Sequence, residues 1–387
     1  MSLGALQTQE VAVGTDPTEQ LISAWEAGAR VRLVATTTAA AYAPPRITTP
    51  RALDSRAFPK SAGVLITTSG SSGQPRLIDL SLDALVASAT LGARAIPFGA
   101  GDVWQSSLAP AHIGGLMIFV RAMVLGGSVK LAPSPRQWSD LAGVTHVSLV
   151  ATQLARLLED PAEPPTSLKA VMLGGGPSSM ALRDAALNRG VPLYSTYGLT
   201  ETSSQVATGA LALGDEATLA GPPLPGMSIT IDPSTREILV AGPTLGRGEI
   251  IDGVGFALTS PFPTRDAGFF DARGRLHIDG RLDAMFISGG RNIHPETIER
   301  AIAALDGVRA VCVLGVADEK WGMRPIAFVD SASATSASLR SALRSTLEPY
   351  FVPDAFFPMP VEESLAMKPS RARLTARVAS GEQFAHL

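Results

Sequence analysis

The sequence predicts an α/β fold: a large N-terminal domain with mostly parallel sheets covered by helices, followed by a small α+β C-terminal domain. Three observations carry this expectation. Short apolar, β-branched runs alternate with helical patterns through the first half of the chain, the order that builds parallel sheets with helices on their faces. From about Gly242 the texture changes to ribbons and a compact α+β pattern. At 387 residues, 45% apolar and 17% charged, the chain is long enough for two or three domains, each burying its own core.

Each element follows from its residues. GVLITT, Gly63 to Thr68, reads as a strand, and SLDALVASATLGARAI as the helix after it, with Ser81 placed to accept hydrogen bonds from first-turn amides. Between them lies TTSGSSGQPR, a loop of small and hydroxyl residues. THVSLV (Thr145 to Val150) precedes the helix TQLARLLED, LKAVML (Leu168 to Leu173) leads through GGGPSS into MALRDAALNRG, and VPLYS (Val191 to Ser195) is another strand. Ligands of such sheets bind at loops beyond the strands' C-terminal ends. GRLHIDGRLD reads as a short ribbon ending the large domain, and HPETIERAIAAL as a helix with Pro295 in its first turn. VRAVCVLGV, RPIAFV and the helix SASLRSALRSTL complete the small domain, with a boundary near Gly280 to Asp283.

Composition excludes several classes. A net charge of -3 argues against disorder and against a nucleic-acid partner. The single cysteine, Cys312, lies in an apolar run and is expected as a buried small hydrophobe, which fits a reducing cytoplasm. MSLGALQTQEV lacks the layout of a signal peptide, and the most apolar segment, IGGLMIFV, stops at Arg121, too short to span a bilayer. A homodimer is compatible with all of this.

A hydroxyl- and glycine-rich loop after a strand can fold its amides around phosphate oxygens, because glycine permits close approach. The Walker pattern GxxxxGK is absent, so a P-loop NTPase is disfavoured. On its own, such a loop is more often an ordinary connection. Four further segments follow it in order: GGGPSS (174 to 179), STYGLTETSSQ (195 to 205), TRDAGFFDARGRLHIDGRLDAMFISGGRNIHPETIE (264 to 299) and LAMKPSRARL (365 to 374). With TTSGSSGQPR this series resembles the adenylate-forming superfamily, the acyl-CoA synthetases and their relatives, over essentially the whole chain.

That resemblance implies ATP, Mg²⁺ and CoA as co-substrates and cofactor, and a small-molecule carboxylic acid as the group activated. The acid attacks the α-phosphate, so like charges must be neutralised in an in-line geometry. By resemblance Thr68, Ser69, Gly70, Ser71, Ser72 and Gly73 cradle the β- and γ-phosphates, with Arg76 where the family usually has lysine. Tyr197 stacks on adenine opposite the loop Gly174, Gly175 and Gly176; a core tyrosine and a tight turn are the plain alternatives. Thr200 and Glu201 are the phosphate and Mg²⁺ pair. Asp266 accepts from the ribose hydroxyls, although Arg265 replaces the usual preceding glycine, and Arg281 sits near the ribose and α-phosphate. Lys368, one of only five lysines, is the catalytic cation, preceded by Met367 where glycine is usual. The family's small domain is mobile. It turns about a hinge at 281–283, centred on Asp283, so that domains of 1–280 and 284–387 exchange walls and Gly289 and Gly290 line a CoA channel; a simple hairpin is their other role.

AHIGGL, VSLVATQLARLL and TETSSQV further resemble segments of the o-succinylbenzoate:CoA ligases of menaquinone biosynthesis, a branch of that superfamily, with Gly114 for a serine and Ala151 for a proline. Such a substrate carries a second carboxylate, so its pocket needs polar contacts beside apolar walls. His112 is the first candidate to line it and Ser204 the second, the alternative for His112 being a satisfied core histidine. Another aryl- or acyl-CoA ligase is the nearest rival, and a stand-alone carrier-loading adenylation enzyme a further one. A nicotinamide enzyme is disfavoured because LGGGPSSMAL lacks the third glycine of GxGxxG. A non-catalytic nucleotide binder would take ATP without releasing pyrophosphate.

Overall fold

The computed structural model describes residues 8–13, 17–35, 46–48, 52–68, 76–176, 178–364 and 369–387. The expected phosphate-loop residues Ser69, Gly70, Ser71, Ser72 and Gly73, together with Lys368, lie outside the described residues.

The parallel character belongs above all to a seven-stranded sheet. Its order from edge to edge is Ser204–Ala210, Leu193–Leu199, Ala170–Leu173, His146–Leu149, Val103–Ser106, Ser128–Leu131 and Arg46–Thr48. The inner four pairings are parallel and the two outer ones antiparallel. Helices Ile113–Leu125, Ala151–Leu158 and Met180–Asn188 make the crossovers. Because strand side chains alternate in direction, Ala170 and Met172 enter the core with Trp104, Leu116 and Phe119, while Val171 and Leu173 enter another with Leu154, Leu157 and Ala186. The sheet is thus covered on both faces.

A six-stranded sheet runs Thr8–Val13, Arg30–Ala35, Gly63–Thr68, Arg76–Ser81, Gly248–Ile251 and Val254–Ala257. Here the expected strand-to-helix step is more complex than its sequence suggests. Arg76–Ser81 is itself a strand, antiparallel to Gly63–Thr68 with Thr68 opposite Arg76, so the Ser/Gly loop connects two paired strands. The charges of RLIDLS conceal it: Asp79 is buried, and Arg30 neutralises it through bonds of 2.7 and 3.0 Å. Ser81 does cap the helix Leu82–Ala95, its Oγ accepting from the Ala84 amide at 3.0 Å.

The ribbon expected near GRLHIDGRLD is one part of a five-stranded antiparallel sheet, ordered Leu219–Gly221, Leu276–Arg281, Phe262–Phe270, Glu237–Ala241 and Ser228–Ile231. From Phe286 onward a further sheet forms from Arg291–Ile293, Phe286–Ser288, Gly322–Ser331 and Val308–Asp318, with Ala355–Pro358 added on Gly322–Ser331. Helix Pro295–Ala303 places Ile298 and Ile302 against Val313, Ala327 and Phe356. Cys312, buried as expected, packs on the opposite side with Phe328 and Leu374. One contact of this region with the rest is made by Arg300, whose Nη1 donates to the Asp279 carbonyl at 3.1 Å.

Candidate active site

Residues separated by more than eighty positions meet at one end of the antiparallel sheet. Tyr197 Oη donates to Asp266 Oδ2 at 2.7 Å, and Arg281 Nη1 donates to Asp266 Oδ1 at 3.3 Å. Arg281 also grips Asp283 through bonds of 3.1 and 2.8 Å. Burial pushes the Asp266 carboxyl up, opposed by the charge of Arg281. Burial, reinforced by the Asp266 charge, holds the Tyr197 phenol well above its ordinary value, while the bond to Asp283 raises the Arg281 guanidinium. Each carboxylate oxygen of Asp266 keeps a further lone pair for a hydroxyl donor.

Beside Tyr197 the chain leaves the neighbouring strand Ala170–Leu173 through Gly174, Gly175 and Gly176, with Leu173 paired to Ser195. A Cβ on Gly174 would lie 2.8 Å from the Thr196 methyl, and Gly175 has φ of +79°, so two of the three glycines are required by space or conformation. This puts a side-chain-free loop and an aromatic ring at the C-terminal ends of adjacent parallel strands.

The turn that follows Leu193–Leu199 is charged. Thr200–Thr202 forms a tight turn in which Thr202 Oγ1 accepts from the Leu199 amide at 3.0 Å. It presents Glu201, a buried carboxylate, 3.6 Å from Arg76 Nη2. Arg76 Nη1 donates to Glu249 Oε2 at 2.7 Å. Thr68 Oγ1 and Arg76 Nε are both buried and have no partner among the described residues. Sequence reasoning named Thr68, Thr200 and Glu201 but not Glu249, which only the pairing of Gly248–Ile251 with Arg76–Ser81 brings near.

The residues expected to line the acid's pocket divide. His112 is exposed at the start of helix Ile113–Leu125, so the core-histidine alternative does not apply. Ser204 is half-buried with φ of +92° and follows Ser203 at +52°, two left-handed residues that turn the chain sharply after Glu201. The residue that the sequence did not single out is Arg121. It is 2% exposed, its guanidinium lies 5.1 Å over Trp104, and Nη2 donates to Gln205 Oε1 at 2.5 Å. Nη1 is buried without a partner, and among the described residues no carboxylate pairs with this side chain. Burial pulls its pKa down to about 10. A lone charge inside the most apolar helix was the available signal.

On the small domain, Gly289 and Gly290 form the two-residue turn of a hairpin in which Ser288 pairs with Arg291. Their φ values of +56° and +79° are those that a tight hairpin demands. A Cβ on Gly289 would also lie 2.7 Å from the Tyr350 ring, whereas Gly290 faces open space.

Fold and site together define an adenylate-binding enzyme class: the chain belongs to the AMP-binding enzyme family, which matches residues 5–253, and residues 297–365 match the AMP-binding enzyme C-terminal domain. Within that class the similarity is to 2-succinylbenzoate--CoA ligases. The Salmonella typhimurium ligase is 37% identical over 299 residues, covering 76% of this chain and 64% of that protein. The chain spans a little under two thirds of the length of such curated relatives. A solved, point-substituted E. coli MenE with bound OSB-AMS superposes with a TM-score of 0.78 at 28% identity, over 97% of this chain and 88% of that one. The Bacillus subtilis o-succinylbenzoate coenzyme A synthetase in complex with ATP and magnesium ion shares the fold, with a TM-score of 0.68 at 24% identity over 92% of this chain and 81% of that one.

Proposed function

We propose that the chain activates o-succinylbenzoate with ATP as an acyl adenylate and transfers the acyl group to CoA, a step of menaquinone biosynthesis, in the cytoplasm. The observation that carries the choice of acid is Arg121. Burying a guanidinium without an anion costs several kcal/mol, so a site that retains one is suited to a ligand carrying the missing charge. A benzoate with a second carboxylate supplies it. Gln205 holds Arg121 there, with Ser204 preceding it in the chain; His112 begins the same helix, roughly 13 Å away along its axis at 1.5 Å per residue, and suits the pocket's mouth.

For the nucleotide, Tyr197 offers its ring to adenine, the loop 174–176 closes the other face, and Asp266 accepts from the ribose hydroxyls with Arg281 beside it. Thr68 and the residues 69–73 serve the phosphates. Glu201 with Thr200 fits Mg²⁺, which typically takes one or two carboxylates and completes its shell with water and substrate phosphates; among the described residues no cluster of three acidic, His or Cys side chains exists to hold it alone. When bound, the ion adds positive charge against the triphosphate. Lys368 supplies the cation to the attacking carboxylate, and rotation about Asp283 then brings Gly289 and Gly290 over the site to admit the CoA thiol.

The test is pyrophosphate release, followed by thioester formation with CoA, over o-succinylbenzoate, benzoate and fatty acids. Wild type should prefer o-succinylbenzoate, and Arg121→Met should lose roughly 10- to 100-fold in kcat/KM for that acid alone, the range for a charged hydrogen bond. Equal rates with benzoate, or equal losses for every acid, would refute the assignment of the acid.

A further inference from the structure

We propose that Glu249 is a positioning residue: a carboxylate tether that holds Arg76 beside Glu201 while keeping it from occupying that carboxylate. The inference rests on the reading of this site as an ATP- and magnesium-dependent one. It concerns two residues whose pairing only the folded sheet creates.

Arg76 opens its strand directly opposite Thr68, so it stands where the chain re-enters the sheet after the Ser/Gly loop. Glu249, on the neighbouring antiparallel strand, is opposite Ile78. Ile78 and Arg76 share a face, being two residues apart, so Glu249 is the diagonal neighbour of Arg76 on that face. The two distances then decide the arrangement. At 2.7 Å the contact with Glu249 is a full charge-assisted hydrogen bond, whereas at 3.6 Å the contact with Glu201 is electrostatic only.

One guanidinium can serve both neighbours because its nitrogens are fixed in a planar fork; a lysine ammonium at the same place would be a single point charge drawn to one or the other. Among the described residues Arg76 Nε and Thr68 Oγ1 are buried without a partner, and each has bonding capacity left for an anionic oxygen. Without Glu249, the remaining acid paired with Arg76 among the described residues is Glu201. The cation would then close onto the carboxylate assigned to Mg²⁺ and compete with it.

Calorimetric titration of ATP at a series of MgCl₂ concentrations, with no acid present, reads this without turnover. Glu249→Gln should raise the Mg²⁺ concentration needed for half-maximal ATP affinity about tenfold, a shift of roughly 1.4 kcal/mol. The shift should vanish when Glu249→Gln is made in an Arg76→Met background. Should Glu249→Gln fail to fold, as judged by circular dichroism, Glu249→Asp must show a smaller shift in the same direction. Unaltered Mg²⁺ dependence in the variant that folds, or an undiminished shift in the Arg76→Met background, overturns the tether while leaving the nucleotide site intact. Wild type that binds no ATP with Mg²⁺ overturns the site reading and the tether with it.

Discussion

At the scale of the residue, Arg265 shows what a single departure costs. It stands where the adenylate-forming pattern has glycine, and its φ is +61°, a conformation that L-residues adopt at a penalty of roughly 1–2 kcal/mol. Its amide donates to Glu237 Oε1 at 2.8 Å, which keeps the turn before Asp266 in place. Arg265→Gly relieves the penalty but loosens the unfolded chain, so a net gain of about 0.5–1 kcal/mol is expected, seen as a higher melting temperature. A lower one would mean that the arginine's contacts outweigh its backbone. Asp266 itself makes a pH prediction. Its folded pKa lies above the ordinary 3.8, so the folded state holds this proton more tightly than the unfolded state. Its contribution to stability is therefore greatest in acid and is lost as pH rises from 3.8 through the raised value. Asp266→Asn should flatten that slope in stability measured against pH; an unchanged slope would assign it to other groups.

At the scale of the element, turns and edges decide more than helices do. The hairpin at Gly289 and Gly290 needs positive φ at both positions, but only Gly289 is packed against Tyr350 and Trp321. Gly290→Asn should be tolerated within about 0.5 kcal/mol, since asparagine visits the left-handed region, while Gly289→Asn should cost several times more through the added clash. Matching losses in thermal unfolding would show that backbone conformation alone sets the cost. Helices were the most readable elements, because caps and periodicity are local: Ser81 and Pro295 stand where their sequences place them. The strand Arg76–Ser81 was not readable, since its buried Asp79 acquires a partner, Arg30, from 49 residues away. Nor was the full antiparallel sheet around Asp266, whose strands carry charged and polar residues, as in FPTRDAGFF and LHIDGR, and pair with segments distant in the chain.

At the scale of the whole molecule, the small domain has a core of its own. Every residue of its two clusters lies between Phe286 and Leu387. A fragment of 284–387 should therefore fold cooperatively, giving a sigmoidal melt and dispersed amide resonances; a broad, non-cooperative melt would place the boundary elsewhere. Among the contacts that join it to the large domain is a polar one, Arg300 on the Asp279 carbonyl. In the intact chain, Lys368→Ala should abolish pyrophosphate release yet still convert a supplied acyl adenylate to thioester. Equal loss of both steps would remove the proposed division of labour between the two orientations.

The sequence by itself determined the family, the order of the large and small regions, and the run of polar residues around Tyr197, Glu201 and Asp266, because these are carried by short motifs whose chemistry needs particular residue types in a row. Only the tertiary structure decided that Tyr197, Asp266 and Arg281 share one hydrogen-bonded cluster, that Arg121 lies buried with no carboxylate partner among the described residues, and that Glu249 reaches Arg76. The reason is physical. A charge's role is set by its burial and its nearest opposite charge, and both depend on strand pairings between segments that the linear chain keeps far apart.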